Sequence, residues 1–301
     1  MTLDSGIAAI LPMLAGAPPL DDPVTARAGF RLFTVDMRDP STLAPVRSVE
    51  DTTVGDRRAR VYRPDVDGPT PTVLFLHGGG FVIGDLDTHD DHCHLIANRT
   101  GSTVLSLDYR LAPEHPFPAG YEDCVAGLHH VLDHIDELGG DATRVAVAGD
   151  SAGGNLSAAV AQYARDNGIA LKAQLLIYPG VDFTLDEDVY PSRRENAEGY
   201  FLTEPDMRWF REQYAPQEDP RASVITGSLE GLAPAVVCTA EYDPLRDEGV
   251  AYAQLLEKAG VRVIAKTYPG LIHGFFGLGQ LSEGSKAAVE DVCADFKDLL
   301  Q

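Results

Sequence analysis

Basic side chains are scarce in this chain. Its 24 lysines and arginines stand against 46 aspartates and glutamates, a formal charge of -22 over 301 residues. Such a surface repels polyphosphate backbones and anionic lipid, which excludes nucleic acid and an acidic membrane face as partners. Cysteine is scarce too. Cys93, Cys124, Cys238 and Cys293 are dispersed with no C-x-x-C pair. That usage fits reduced thiols in a cytosolic protein and gives no disulfide framework or zinc ribbon. No stretch approaches the roughly 18 apolar residues of a membrane span, so no membrane insertion is expected. The mildly apolar run over residues 7–17 has no basic residue before it and is interrupted by Pro12. It reads poorly as a secretory signal, and a cytoplasmic location is expected. Repeats and low-complexity tracts are also lacking.

What is present is a chain that is 44% hydrophobic, long enough for one large domain with a substantial core. Residues 1–45 mix apolar residues with six prolines, from Pro12 to Pro45, and read as short helices and turns. Residues 46–53 and 57–63 are β-prone and flank Val54-Gly55-Asp56, a predicted hairpin. Short apolar runs then recur at 73–76, 104–107, 145–148, 175–178, 235–240 and 261–265. Segments of helical period lie between most of them, at 90–99, 121–138, 156–167 and 248–259, with a last one at 285–300. Strands without polar alternation, spaced by helices, predict an α/β domain with a mostly parallel sheet buried on both faces. Residues 182–220 break this rhythm. They are too long for a simple connection and carry Tyr190, Tyr200, Phe201, Trp209 and Phe210. They are expected to form a cap insertion that packs with the 1–45 segment over the carboxyl edge of the sheet. The catalytic domain is then 46–181 with 221–301.

The densest chemical signal is Gly149-Asp150-Ser151-Ala152-Gly153-Gly154-Asn155, between an apolar strand and a helix. The spacing G-x-S-x-G marks a sharp turn with no room for flanking side chains and with a serine at its apex. The following helix directs its N-terminal N–H groups beside Ser151 Oγ, where an oxyanion would form. His77-Gly78-Gly79-Gly80 follows an earlier strand. Its glycines expose backbone donors, so Gly79, Gly80 and Ala152 are the expected oxyanion hole. Gly78 lets the loop bend, and His77 supports it by hydrogen bonds. A serine needs a base and the base an orienting acid. His273 follows the last strand and the turn Pro269-Gly270, on a flexible loop. Asp243 lies just past the strand at 235–240, with Glu241 as the alternative acid.

Two other patterns carry less. The glycines Gly78, Gly80 and Gly84 are spaced one residue too long for a dinucleotide fingerprint. The group His89, Asp90, Asp91, His92, Cys93 and His94 has the composition of a metal site without its spacing. It is read as a solvated polar helix start, and no metal is expected. His129, His130 and His134 are read as helix surface.

Taken together, these residues resemble the hormone-sensitive lipase family of α/β-hydrolases, in its bacterial carboxylesterase branch with a Gly-Asp-Ser-Ala-Gly motif. The resemblance rests on residues 77–81, Asp108-Tyr109-Arg110-Leu111-Ala112-Pro113-Glu114, 149–155, 243–249, His273-Gly274-Phe275 and the cap-like Tyr200-Phe201-Leu202-Thr203. It spans roughly 45–300. It implies an α/β-hydrolase fold with Ser151 as nucleophile, Asp243 and His273 as its partners, and Gly79, Gly80 and Ala152 as oxyanion donors. It further implies short- to medium-chain acyl esters as small-molecule substrates, no cofactor, and frequent dimerisation. An exposed last strand (261–267) at the sheet edge could pair across a homodimer. An amidase or peptidase on the same triad and a non-catalytic receptor for a small apolar ligand are the alternatives.

Overall fold

The computed structural model describes residues 2–14, 20–184, 189–216 and 218–301. Parts of the segments expected at 1–45 and 182–220 therefore lie outside the described residues.

Eight strands form one sheet in the order β1-β2-β4-β3-β5-β6-β7-β8. Strands β1 (Ser48–Val54) and β2 (Arg57–Arg63) make the predicted hairpin, with Val54 opposite Arg57. β2 is antiparallel to both neighbours. The remaining pairs are parallel: β3 (Thr70–Leu76), β4 (Thr103–Leu107), β5 (Gly140–Asp150), β6 (Ala173–Ile177), β7 (Ala235–Tyr242) and β8 (Val263–Ile272). Every residue of β3, β4 and β6 is buried, as the unbroken apolar runs require of strands covered on both faces.

Side chains alternate across the sheet and feed two cores. Leu74 and Leu76 face helices α4 (Ala119–Asp133), α5 (Ala152–Asp166) and α8 (Arg246–Lys258), packing with Leu128, Leu156 and Tyr252. Val73 and Phe75 face α3 (Asp90–Thr100) and α9 (Glu283–Leu300), packing with Ile96, Val292 and Phe296. At the N-terminal end, α1 (Ser5–Leu14) and α2 (Pro23–Arg31) precede the sheet. Asp22 caps α2 by accepting from the Thr25 N–H, with Pro23 in the first turn, where its missing donor costs nothing.

Between β6 and β7 the long insertion contains α6 (Ser192–Glu195) and α7 (Glu204–Tyr214). A reciprocal capping box between Thr203 and Asp206 starts α7, and Ala215 ends it in the left-handed region at φ 49°.

Two sequence expectations need correction. Pro269-Gly270 is not a turn beyond the last strand: β8 runs on to Ile272. The ladder with β7 shifts register between Ala240 and Tyr242, and the Gly270 N–H is taken by Glu241 Oε2 at 2.8 Å. A bulge thus absorbs the proline and glycine, and His273 leaves the strand directly instead of riding on a free loop. The second correction concerns the start of α3. His89 and His92 are buried, at 2% and 6% exposure, and His94 bonds the Ala44 carbonyl. This is not a solvated polar surface.

Candidate active site

The loops that leave the carboxyl ends of β3, β5, β7 and β8 bring their residues to one place, and Ser151 is the first residue after β5. Ser151 stands between β5 and α5 at φ 53°, ψ -117°. A Cβ on Gly153 would fall 1.9 Å from the Leu76 carbonyl oxygen, and one on Gly149 2.3 Å from that of Gly153. Glycine at both positions lets the α5 N-terminus sit against the end of β3. The resulting positive φ at Ser151 is unusual for a residue bearing a side chain and is of the kind stored at functional sites.

His273 Nε2 lies 2.9 Å from Ser151 Oγ, and His273 Nδ1 lies 2.8 Å from Asp243 Oδ2. Asp243 is fully buried and its other oxygen accepts the Leu245 N–H at 2.8 Å. With Nδ1–H donated to the carboxylate, Nε2 of the neutral ring is free to accept from the serine hydroxyl. Glu241, the alternative acid, is engaged with the Gly270 N–H, so it ties β7 to the bulge that precedes His273. Tyr178 flanks the imidazole with ring centroids 4.7 Å apart.

The glycine loop after β3 turns through two left-handed residues, Gly79 (φ 113°) and Gly80 (φ 58°). The Gly78 N–H donates to Asp150 Oδ1 at 2.9 Å. No hydrogen bond to a described residue engages the N–H groups of Gly79, Gly80 or Ala152. His77 is fully buried. Its Nδ1 donates to the Gly78 carbonyl at 2.7 Å and its ring stacks on Tyr109, whose hydroxyl donates to the His77 carbonyl. Burial, reinforced by nearby His89, pulls the His77 imidazole down to about 4, so the ring is neutral at working pH.

Sequence reasoning passed over the ring that contacts this loop from the insertion. A Cβ on Gly80 would meet the Phe210 ring at 2.2 Å, and one on Gly274 would meet the Phe201 ring at 3.1 Å. Aromatic side chains of the insertion therefore press on both the glycine loop and the residue after His273. Their letters were visible in the sequence, but nothing there gave their targets. Sequence reasoning also missed Asn196, whose Nδ2 donates to the Glu241 and Asp243 carbonyls.

Three buried side chains sit beneath the serine turn. His89, His92 and Asp150 each bring one nitrogen or oxygen to within 4.8 Å of the others. Burial raises the Asp150 carboxyl, but the two imidazoles and the Gly78 N–H outweigh it and hold it well below the usual carboxylate range.

A parallel sheet with a strained serine turn, and a His–Asp pair carried by later strands, defines the class of α/β-hydrolases. Comparison with known proteins agrees and narrows the class. The α/β-hydrolase fold family matches residues 73–277. The chain is 44% identical over 285 residues to the carboxylic ester hydrolase LipN of Mycobacterium tuberculosis, covering 90% of this chain and 75% of that protein. It is 43% identical over 265 residues to carboxylesterase NlhH of the same species, covering 83% and 81%. The solved structure of a hyperthermophilic esterase from the archaeon Pyrobaculum calidifontis superposes with a TM-score of 0.92 at 45% identity, covering 99% of both chains. The chain belongs to the α/β-hydrolase fold family, and within it to the hormone-sensitive lipase-like carboxylesterases.

Proposed function

We propose that this protein is a carboxylic ester hydrolase acting on short- to medium-chain acyl esters through Ser151, His273 and Asp243. The observation that carries the proposal is the continuous hydrogen-bond chain from Ser151 Oγ through His273 to Asp243, at 2.9 and 2.8 Å. His273 Nε2 removes the hydroxyl proton as Oγ attacks the ester carbonyl. Asp243 fixes the tautomer and stabilises the imidazolium that forms. The tetrahedral oxyanion is held by the N–H groups of Gly79, Gly80 and Ala152, with Gly78 and His77 supporting the loop. His273 then protonates the departing alcohol, and the same base activates water to release the acid from Ser151.

Apart from that water, every group this cycle uses comes from the chain itself. Residues 182–220 act as a cap together with 1–45, over a catalytic domain formed by 46–181 and 221–301. Phe201 and Phe210 limit the room beside the reacting carbon, which favours short acyl chains. The small ester is the partner, and a second copy of the chain can pair through the edge strand β8. No helix among the described residues is long and apolar enough to cross a membrane. A cytoplasmic site of action is in keeping with four buried free cysteines.

The test is initial rates on p-nitrophenyl esters from acetyl to palmitoyl, for wild type beside Ser151→Ala. Serine-dependent turnover that peaks at short chains is expected. Ser151→Ala should lose on the order of 10⁶ in kcat and Asp243→Asn roughly 10⁴. Activity that survives Ser151→Ala would refute the nucleophile.

A further inference from the structure

With both imidazoles neutral, the pocket beneath the serine turn holds an excess of hydrogen-bond acceptors. His92 Nδ1 lies 2.7 Å from Asp91 Oδ1, so it carries the proton, and Nε2 of the neutral ring is a bare lone pair. The Thr88 hydroxyl gives its single proton to the Asp85 carbonyl at 2.9 Å. With the hydroxyl proton placed there, its oxygen accepts His89 Nδ1–H, also at 2.9 Å. Nε2 of neutral His89 is then a second lone pair, and it faces Asp150 Oδ1 at 3.5 Å. Asp150 can only accept. His77, with Nδ1–H on the Gly78 carbonyl, leaves a buried Nε2 without a partner, on a ring 5.3 Å from that of His89. Acceptors turned toward one another in a buried pocket repel unless a positive charge lies between them, either a proton on Nε2 or a metal ion.

We propose that His89, His92 and Asp150 form a site for one divalent transition-metal ion, distinct from the catalytic serine and lying beneath it. The donor set is two imidazoles and one carboxylate, which suits Zn²⁺, Co²⁺ or Fe²⁺ and disfavours Mg²⁺ and Ca²⁺. The 3.5 Å edge between His89 and Asp150 is close to the separation of two ligands each roughly 2.1 Å from one ion. The outer partners are those of a built site. Asp91 stands behind His92, Thr88 behind His89, and the Gly78 N–H behind Asp150. Asp91 and Thr88 set the orientation and tautomer of their imidazoles and the Gly78 N–H orients the carboxylate, as outer groups do around metals. The ligands come from the α3 start and the β5 end, so an ion would clamp these two elements under the glycine loop. It would act on stability and leave the ester chemistry to Ser151.

The measurement is metal uptake by the full chain, stripped with chelator and then dialysed against Zn²⁺ or Co²⁺. The expected result is one equivalent of either ion retained per chain, with the d–d absorption of a nitrogen- and oxygen-ligated Co²⁺. At a hundredfold excess over Kd the melting temperature should rise by about 5 °C. His92→Ala and His89→Ala should abolish retention, while His129→Ala on the protein surface should leave it intact. Nitrogen-15 NMR of the imidazoles covers the case in which a variant fails to fold. In wild type with Zn²⁺ present, Nε2 of His89 and His92 should lack protons. Protonated Nε2 on both rings under that condition, no retained metal, or equal retention in His92→Ala and His129→Ala would overturn the site.

Discussion

At the residue scale, the two glycines flanking Ser151 show why a short motif can be read without a structure. Gly153 is excluded from bearing a side chain by backbone, since its nearest neighbours would be the Leu76 and His77 carbonyl oxygens at 1.9 and 2.6 Å. Backbone cannot step aside as a flexible side chain can. Gly153→Ala should therefore destabilise the fold by about 3 kcal/mol or more and cut kcat by well over tenfold, read by urea unfolding and ester turnover. Cysteine gives a second test. All four thiols are buried, and burial pushes each one up, Cys293 to about 12 and Cys93 and Cys124 well above the ordinary thiol range. A raised pKa means the reactive thiolate is absent even at pH 9. Native protein should then fail to react with Ellman's reagent at pH 9 and release four equivalents once unfolded in guanidinium. Rapid native reaction would show that these sites open. Residue identity alone misled at His89 and His92. Their polar letters suggested solvent, while the carboxylate they face, Asp150, lies far along the chain and is brought under them only by the sheet.

At the element scale, the parallel strands were legible because strands buried on both faces need apolar runs, and such runs are visible in one dimension. The end of β8 was not. Pro269-Gly270 carries a turn signature, and only the pairing with β7 and the Glu241 side chain show that the strand absorbs it as a bulge. The 182–220 insertion stood out by length and aromatic content, but its anchor did not. Arg193 on α6 donates to Glu248 Oε2 at 2.7 Å, and Glu248 Oε1 accepts the Val181 N–H at 2.8 Å. This ion pair is almost fully buried and joins the insertion to α8. Arg193→Ala strands the Glu248 carboxylate and should cost about 3–5 kcal/mol, whereas Arg193→Met with Glu248→Leu should cost far less. Thermal melts of both variants distinguish a lost pair from lost packing. Phe210 gives a test of selectivity. Its ring occupies the space above Gly80, so Phe210→Ala should shift the preferred p-nitrophenyl ester toward longer acyl chains, with the Ser151 chemistry intact.

At the scale of the whole molecule, charge and sheet topology oppose each other. β8 is the last strand in the order, so the outward-facing N–H and C=O groups along residues 263–268 have no neighbouring strand among the described residues, while nearer its end the Gly270 carbonyl accepts the Asp4 N–H at 2.9 Å. An open edge of this kind is a template for a second copy. Against it stands a formal charge of -22 on every chain, which becomes -44 when two meet (-22 plus -22). Repulsion between like-charged surfaces is screened over a Debye length of about 10 Å at 0.1 M salt and about 3 Å at 1 M. Backbone hydrogen bonds across an edge carry no such salt dependence. If β8 pairs, light scattering behind size exclusion should show a dimer fraction that rises from 10 mM to 500 mM NaCl. Proline at either Ile264 or Ala265 supplies the local control. Successive N–H groups of a strand point to opposite sides, so one of these two substitutions removes an outward donor and spares the ladder to β7. The variant that keeps the wild-type melting temperature should be monomeric at every salt concentration. If both variants dimerise as wild type does, the association runs through another surface.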